Sequence, residues 1–431
     1  MNTLSGNGRQ DGTSASAHDA VRTTTLDNGI RVVTEQMDSV RSVATGVWVG
    51  VGARDETEAL SGASHFLEHL LFKGTATRTA QDIAESVDAV GGEMNAFTTK
   101  EYTAYYTRLP ATSVGFGLEL LADVISAPAF RPDEVDAERQ VILEEILMNE
   151  DTPDDRVHTL VFEARYPDHP LGREVLGSPD TIEAMSRDEI AGFHDRHYRP
   201  ENLVVAAAGL LDHDEVVAHV AAGFGDLPAG ARPERTAPSA PPLSEVVVRR
   251  PTEQVHLAMA WPGLDHEDPD RYALSVANHI LGGGTASRLF QEVREKRGLA
   301  YAVYSSPSSY VDTGLVLAYL GTAPSRVTEA VTVVDGVIAG LVADGITDKE
   351  LDVARGYLEG SMVLGLEDSS SRMGRIGSNV CIRGKVTPVE EHVERIRAVT
   401  HEDVRRVLQR VFADGRTLAV VGPVDGVDLP H

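Results

Sequence analysis

The chain has 431 residues, 42% of them hydrophobic and 24% charged, which is the composition of a globular protein with two or three domains. Its 66 acidic and 39 basic residues leave a formal net charge of −27. That balance excludes nucleic acid as a partner, because phosphate binding needs a basic face, and is compatible with a basic or unfolded peptide.

Residues 1–21 are polar, small and rich in Gly and Ser, with no basic start followed by an apolar stretch, so they read as a disordered tail and not as a signal peptide. No apolar run is long enough to cross a bilayer, so no membrane association is expected and a cytoplasmic location is the expectation. Two short strands are predicted over 23–33 around an Asn28-Gly29 turn, then a strand over 43–51. A helix carrying 64–72, a helix over 79–90, a strand hairpin over 94–108 and a helix over 111–126 follow. Residues 131–149 form a long helix, with Pro132 suited to its first turn. Helices near 181–183 and over 186–197 precede a strand at 203–208 and a helix at 212–224. Residues 228–245 hold five prolines without apolar periodicity and read as a linker. Strands at 245–249 and 255–261 then open a second half.

The second half repeats the first. A helix with HFLEH, a strand pair, a helix and DEVDAERQVILEEILMNED in the first correspond to LSVANHILGG, strands at 299–320, a helix and KELDVARGYLEGSMVLGLED in the second. Ser275, Asn278 and His279 stand where the first half has His65, Glu68 and His69, and Arg355 and Met362 stand where it has Glu138 and Glu145. The expected fold is therefore α+β, two homologous domains at 22–228 and 246–426 joined by a linker at 229–245. Each is expected to be an antiparallel β-sheet packed with helices, and only the first keeps a metal site.

The single cysteine, Cys381, excludes an internal disulfide and leaves His and carboxylate side chains as metal donors. His65 and His69 are one helical turn apart, so both imidazoles can reach one ion, while Phe66 and Leu67 face the core. Glu68 precedes the second His, in the H-x-x-E-H order, and can take a proton from a metal-activated water. A hydrolytic zinc needs a third protein ligand. Glu138 and Glu145 share one face of the helix at 131–149, whereas Glu144 is turned about 100° away and is solvated. Spacing leaves Glu138 and Glu145 both open.

HFLEHLLFKGT, NAFT at 95–98 and ERQVILEEI at 138–146 resemble the pitrilysin-type (M16) zinc metallopeptidases, in particular the short bacterial and mitochondrial processing peptidase-like subgroup. The resemblance runs from about Thr23 to the C-terminus. It implies that one Zn2+ per chain is held by His65, His69 and Glu145, the last lying 76 residues past the second His. It makes Glu138, otherwise readable as a solvated helix residue, a supporting acid, and Glu68 the catalytic base. It also implies that the strand with Asn95 and Ala96 is a sheet edge on which a peptide adds, and that Arg294 and Tyr301 reach from the second half towards the substrate. Read alone, those last two are a solvated helix end and a plain strand residue. Gly282-Gly283-Gly284 lacks the ending of a phosphate loop and is similar to a shortened glycine-rich loop of the non-catalytic processing subunit. His194 and His197 are assigned to packing or capping.

The resulting expectation is a zinc metalloendopeptidase acting on extended peptides, with a non-catalytic partner or scaffold subunit as the alternative. Two such domains would form half of a clamshell chamber. A homodimer is expected, or a heterodimer with an inactive paralogue.

Overall fold

The computed structural model describes residues 21–239 and 244–424, and the expected tail therefore lies outside the described residues apart from Val21. The first half contains β1 (Val21–Thr25), β2 (Arg31–Gln36), β3 (Ser42–Val49), α1 (Ala63–Leu70), α2 (Ala80–Ala89), β4 (Glu93–Thr98) and β5 (Thr103–Pro110). It continues with α3 (Val114–Ser126), α4 (Pro132–Asp151), α5 (Pro153–Arg165), α6 (Pro179–Ala184), α7 (Arg187–His197), β6 (Leu203–Gly209) and α8 (His213–Phe224). The second half contains β7 (Glu245–Val248), β8 (Val255–Pro262), α9 (Arg271–Leu281), β9 (Ala300–Ser309), β10 (Gly314–Thr322) and α10 (Val327–Asp344). It ends with α11 (Asp348–Gly365), α12 (Ser369–Arg383), α13 (Val389–Ala398), α14 (His401–Val411) and β11 (Thr417–Val421).

Local chemistry explains several boundaries. Gly29 adopts φ 98° in the turn between β1 and β2, where an L side chain would be strained. Thr79 caps α2 by accepting from the Asp82 N–H while Asp82 answers to the Thr79 N–H. Pro132 occupies the first turn of α4, where its missing N–H costs nothing.

The first sheet runs β1-β2-β6-β3-β5-β4 and the second β7-β11-β8-β10-β9. The two sheets packed with helices are those expected, each antiparallel apart from one parallel pair, β2 with β6 and β11 with β7. The cause is topological. The last strand of each half returns to the sheet beside the first ones after a long helical crossover, and such a crossover permits a parallel pair.

On one face of the first sheet, α1, α3 and α8 enclose a core with Phe66, Leu67, Tyr105, Leu118 and Phe193. Its other face is covered by α12, a helix of the second half, whose Met373, Ile376 and Val380 lie on Val33, Trp48, Val204 and Ala206. Reciprocally, α5 of the first half places Val157, Leu160 and Val161 on Ala258, Leu317 and Val421 of the second sheet. No element is expected at α5 from the sequence, although Val157, Leu160 and Val161 have helical spacing, because the face they cover belongs to the other half.

Residues 240–243 of the expected linker lie outside the described residues, and its described part is fastened at Arg235. Arg235 holds Asp55 through two bonds of 2.8 and 2.7 Å and donates to the Glu101 carbonyl at 2.6 Å. Beside it, Arg54 is buried between Glu101 and Asp312 at 2.6 Å from each, so one guanidinium joins the two halves. No single helix among the described residues is long and apolar enough to cross a membrane.

The seat of α12 is tight. A Cβ added at Gly377 would lie 2.5 Å from the Trp48 ring. Cys381, one turn on, is buried, and burial pushes its thiol up to about 11. Gly377→Ala is therefore expected to destabilise the chain by about 1–3 kcal/mol in thermal or urea unfolding. In the same variant Cys381, whose buried thiol should react slowly with iodoacetamide in the parent, should label faster by mass spectrometry.

Candidate metal centre

The centre is built on α1 and α4. Phe66 and Leu67 are fully buried under α1, so the helix face that carries His65 and His69 is turned to α4. In α4 the buried residues Val135, Glu138, Ile142 and Ile146 mark the inward face, and Glu145 lies beside Ile146 at its border. Glu144 is exposed, as spacing predicts.

The Nε2 atoms of His65 and His69 each lie 3.6 Å from Oε2 of Glu145, and the two rings meet edge-on with centroids 4.7 Å apart. The three donor atoms lie within 4.8 Å of one another, the only such group of three among the described residues. Burial pulls His65 down to about 4, with His69 as a lesser cause, so its ring is neutral at pH 7 and keeps a lone pair for coordination. Two imidazoles and one carboxylate are the protein donors that a catalytic zinc site uses. The residues fit that ion.

The orientation of His69 is set from behind. Its Nδ1 faces Oε2 of Glu138 at 3.0 Å, and Oε1 of Glu138 takes the Lys73 ammonium at 2.7 Å. Glu138 is 5% exposed and faces His69, so it is a buried residue of α4 and not a solvated one. His65 has no such support: its Nδ1 is buried without a hydrogen-bond partner.

Glu68 stands at the same helix face with Oε2 accepting from the Thr98 hydroxyl at 2.6 Å. Burial raises its pKa, while the Thr98 bond and His69 oppose the rise. At the other end of α1, the buried Glu56 carboxylate accepts the Gly62 and Ser64 N–H groups at 2.8 and 2.7 Å. It serves as a cap that the sequence places outside the helix itself. Sequence reasoning misses Glu56, Lys73 and Thr98. Lys73, four residues after His69, and Thr98, the last residue of NAFT, carry a positional signal, whereas Glu56 carries none.

Strand β4 is the free edge of the first sheet, and Asn95 turns its carboxamide oxygen to the Ala96 N–H at 2.8 Å. Arg294 and Tyr301 meet each other, with the guanidinium 4.5 Å from the ring centre, and Tyr301 is 77% exposed. Both stay within the second half: Arg294 also covers Phe290 and faces Glu295. His194 is buried, bonded to the Ile125 carbonyl at 2.8 Å and stacked on Tyr198. His197 packs on Phe193. In the second half, Asn278 of α9 accepts at Oδ1 from the Ser305 hydroxyl of β9 at 2.7 Å.

Residues 31–179 match the family model described as insulinase (peptidase family M16), and residues 184–358 match the one described as peptidase M16 inactive domain. A Streptomyces coelicolor protein named an uncharacterized zinc protease is 47% identical over 94% of this chain and 90% of its own length. One from Bacillus subtilis with the same description is 39% identical over 93% of this chain and 97% of its own. Among solved structures, a protease from Helicobacter pylori superposes with a TM-score of 0.86 at 25% identity, covering 94% of this chain and 99% of that one. A structure titled peptidase M16 inactive domain from Pseudomonas fluorescens gives 0.88 at 25% identity, covering 94% and 98%.

Glu138→Gln removes the carboxylate behind His69 without touching a donor atom. It is expected to weaken zinc binding about 10–100-fold, measured by competition with a chromophoric chelator, and Glu144→Gln should leave it unchanged.

Proposed function

The chain belongs to the M16 peptidase family, and we propose that it is a zinc metalloendopeptidase that cleaves extended peptides. The reading is carried by one observation: two imidazoles of α1 and a carboxylate of α4 converge beside a fourth group, Glu68, that is held but not used as a donor. A non-catalytic scaffold has no need of the complete set, and the second half, where Ser275, Asn278 and Met362 replace it, is what the inert alternative looks like.

In this reading His65, His69 and Glu145 hold the zinc, which when bound supplies Lewis acidity towards water and the scissile carbonyl. Glu68 takes the proton of the attacking water as the oxygen bonds to the carbonyl carbon. It returns that proton to the amine nitrogen as the C–N bond breaks. The Thr98 hydroxyl engages Oε2 and leaves Oε1 to act as the base. Partial burial strengthens that base by raising its pKa.

The peptide would add as a further strand along β4, displacing the Asn95 carboxamide from the Ala96 N–H. Arg294 and Tyr301 would meet it from the second half, the phenol serving as a donor to the developing oxyanion. Exposed Phe97, Leu147, Met148, Tyr301 and Leu364 support a partner that covers them, most simply a second copy of the chain with a heterodimer as the alternative.

Glu68→Gln should retain one zinc per chain by elemental analysis and lose cleavage of a quenched peptide library, and full turnover in that variant would overturn the assignment. His65→Ala should lose metal and activity together. Sedimentation should give a dimer; an active monomer would exclude the assembly.

A further inference from the structure

Where the second half carries the counterparts of two ligands, Ser275 for His65 and Met362 for Glu145, the chain forms a half-open pocket of about 380 Å³. Its walls come from α9, α11, α12, α13 and β9, and Leu274, Leu358, Met362 and Ile396 make them largely apolar. The size and the mixture of apolar wall with few polar groups are those of a small-ligand site.

The polar groups are biased to positive charge. Arg383 is committed to Glu267. Arg271 lies over the Tyr272 ring at 4.5 Å and donates to the Tyr272 hydroxyl at 3.1 Å and the Asp268 carbonyl at 3.3 Å. Among the described residues no carboxylate lies within 4.0 Å of it. The acids nearest in sequence are taken elsewhere, Asp268 by Arg410 at 2.7 Å and Asp270 by Arg406 at 2.6 Å. His392 shares the Tyr272 hydroxyl at 2.9 Å, and burial, then Arg383, Arg271 and Arg375, pull it down to about 4. Glu391 opposes that fall. In a chain of net charge −27, an unpaired guanidinium at an apolar cavity is the reverse of the background.

We infer that this cavity binds the free C-terminus of a peptide whose last side chain is apolar, the carboxylate on Arg271 and the side chain against Leu358, Met362 and Ile396. An aliphatic carboxylate satisfies both halves of the site at once, whereas inorganic anions leave the apolar wall empty and neutral apolar ligands leave Arg271 unpaired. The inference deepens the peptidase reading, on which it rests for the presence of peptides: the half without the metal would hold an end of the chain that the other half handles.

The test is calorimetric titration of the zinc-loaded, full-length Glu68→Gln chain with N-acetyl-Ala-Ala-Leu as the free acid and as the amide. The acid should bind at least about tenfold more tightly than the amide, the scale of one charge-assisted hydrogen-bonded pair. Arg271→Gln should erase that difference and Arg271→Lys should restore part of it. Ser275→Leu, which fills the cavity without altering charge, should abolish binding and serves as the second variant if Arg271→Gln does not fold. Equal affinity for acid and amide, a difference that survives Arg271→Gln in a folded chain, or binding lost only with His65→Ala would each overturn the inference. Turnover by the unsubstituted chain is measured separately, so failure of the peptidase reading and failure of this site give different results.

Discussion

The packing of α1 on α4 is the constraint from which the centre follows. Phe66 and Leu67 must be buried, and burying them leaves His65 and His69 no direction except towards α4. Ile142 and Ile146 are buried in the same core, which sets the rotation of α4 and carries Glu145 to both imidazoles and Glu138 behind one of them. The donors are thus positioned by apolar contacts rather than by one another. This is the condition for holding groups that would otherwise repel or disperse when no ion lies between them.

Above that local arrangement stands the exchange of helices between halves. Each sheet is closed on its outer face by a helix that belongs to the other half of the chain, α12 on the first and α5 on the second. Neither half completes its core alone. The buried cluster of Arg54 with Glu101 and Asp312, and of Arg235 with Asp55, then fixes the angle at which the halves meet, because stray orientations would leave buried charges unpaired. The linker is part of this lock, so the two halves act as one body despite their origin as repeats.

The repeats also show how a site is lost without losing a fold. Asn278, in the place of Glu68, accepts from the Ser305 hydroxyl at 2.7 Å, and His279, in the place of His69, stacks on Tyr357 with ring centroids 4.2 Å apart. Ser275 and Met362 stand where the first half has His65 and Glu145, and Met362 packs against the core of the second half. Both line the apolar pocket that Arg271 borders.

Much is legible in the residues themselves. Alternating and helical periodicities locate most strands and helices, the Pro-rich run marks the junction, and the spacing of His65, Glu68 and His69 marks a candidate metal-binding helix. These are local properties, written in patterns of two to seven residues. Spacing along α4 cannot choose between Glu138 and Glu145, since both share a face; the choice depends on how far along α4 the metal helix crosses it, which is set by packing between elements far apart in sequence. Glu56 as a remote cap, the parallel pair within each sheet and the exchange of α5 and α12 are of the same kind. Each pairs residues whose partners lie on another element, so the sequence determined which groups were available and only the tertiary packing decided which of them meet.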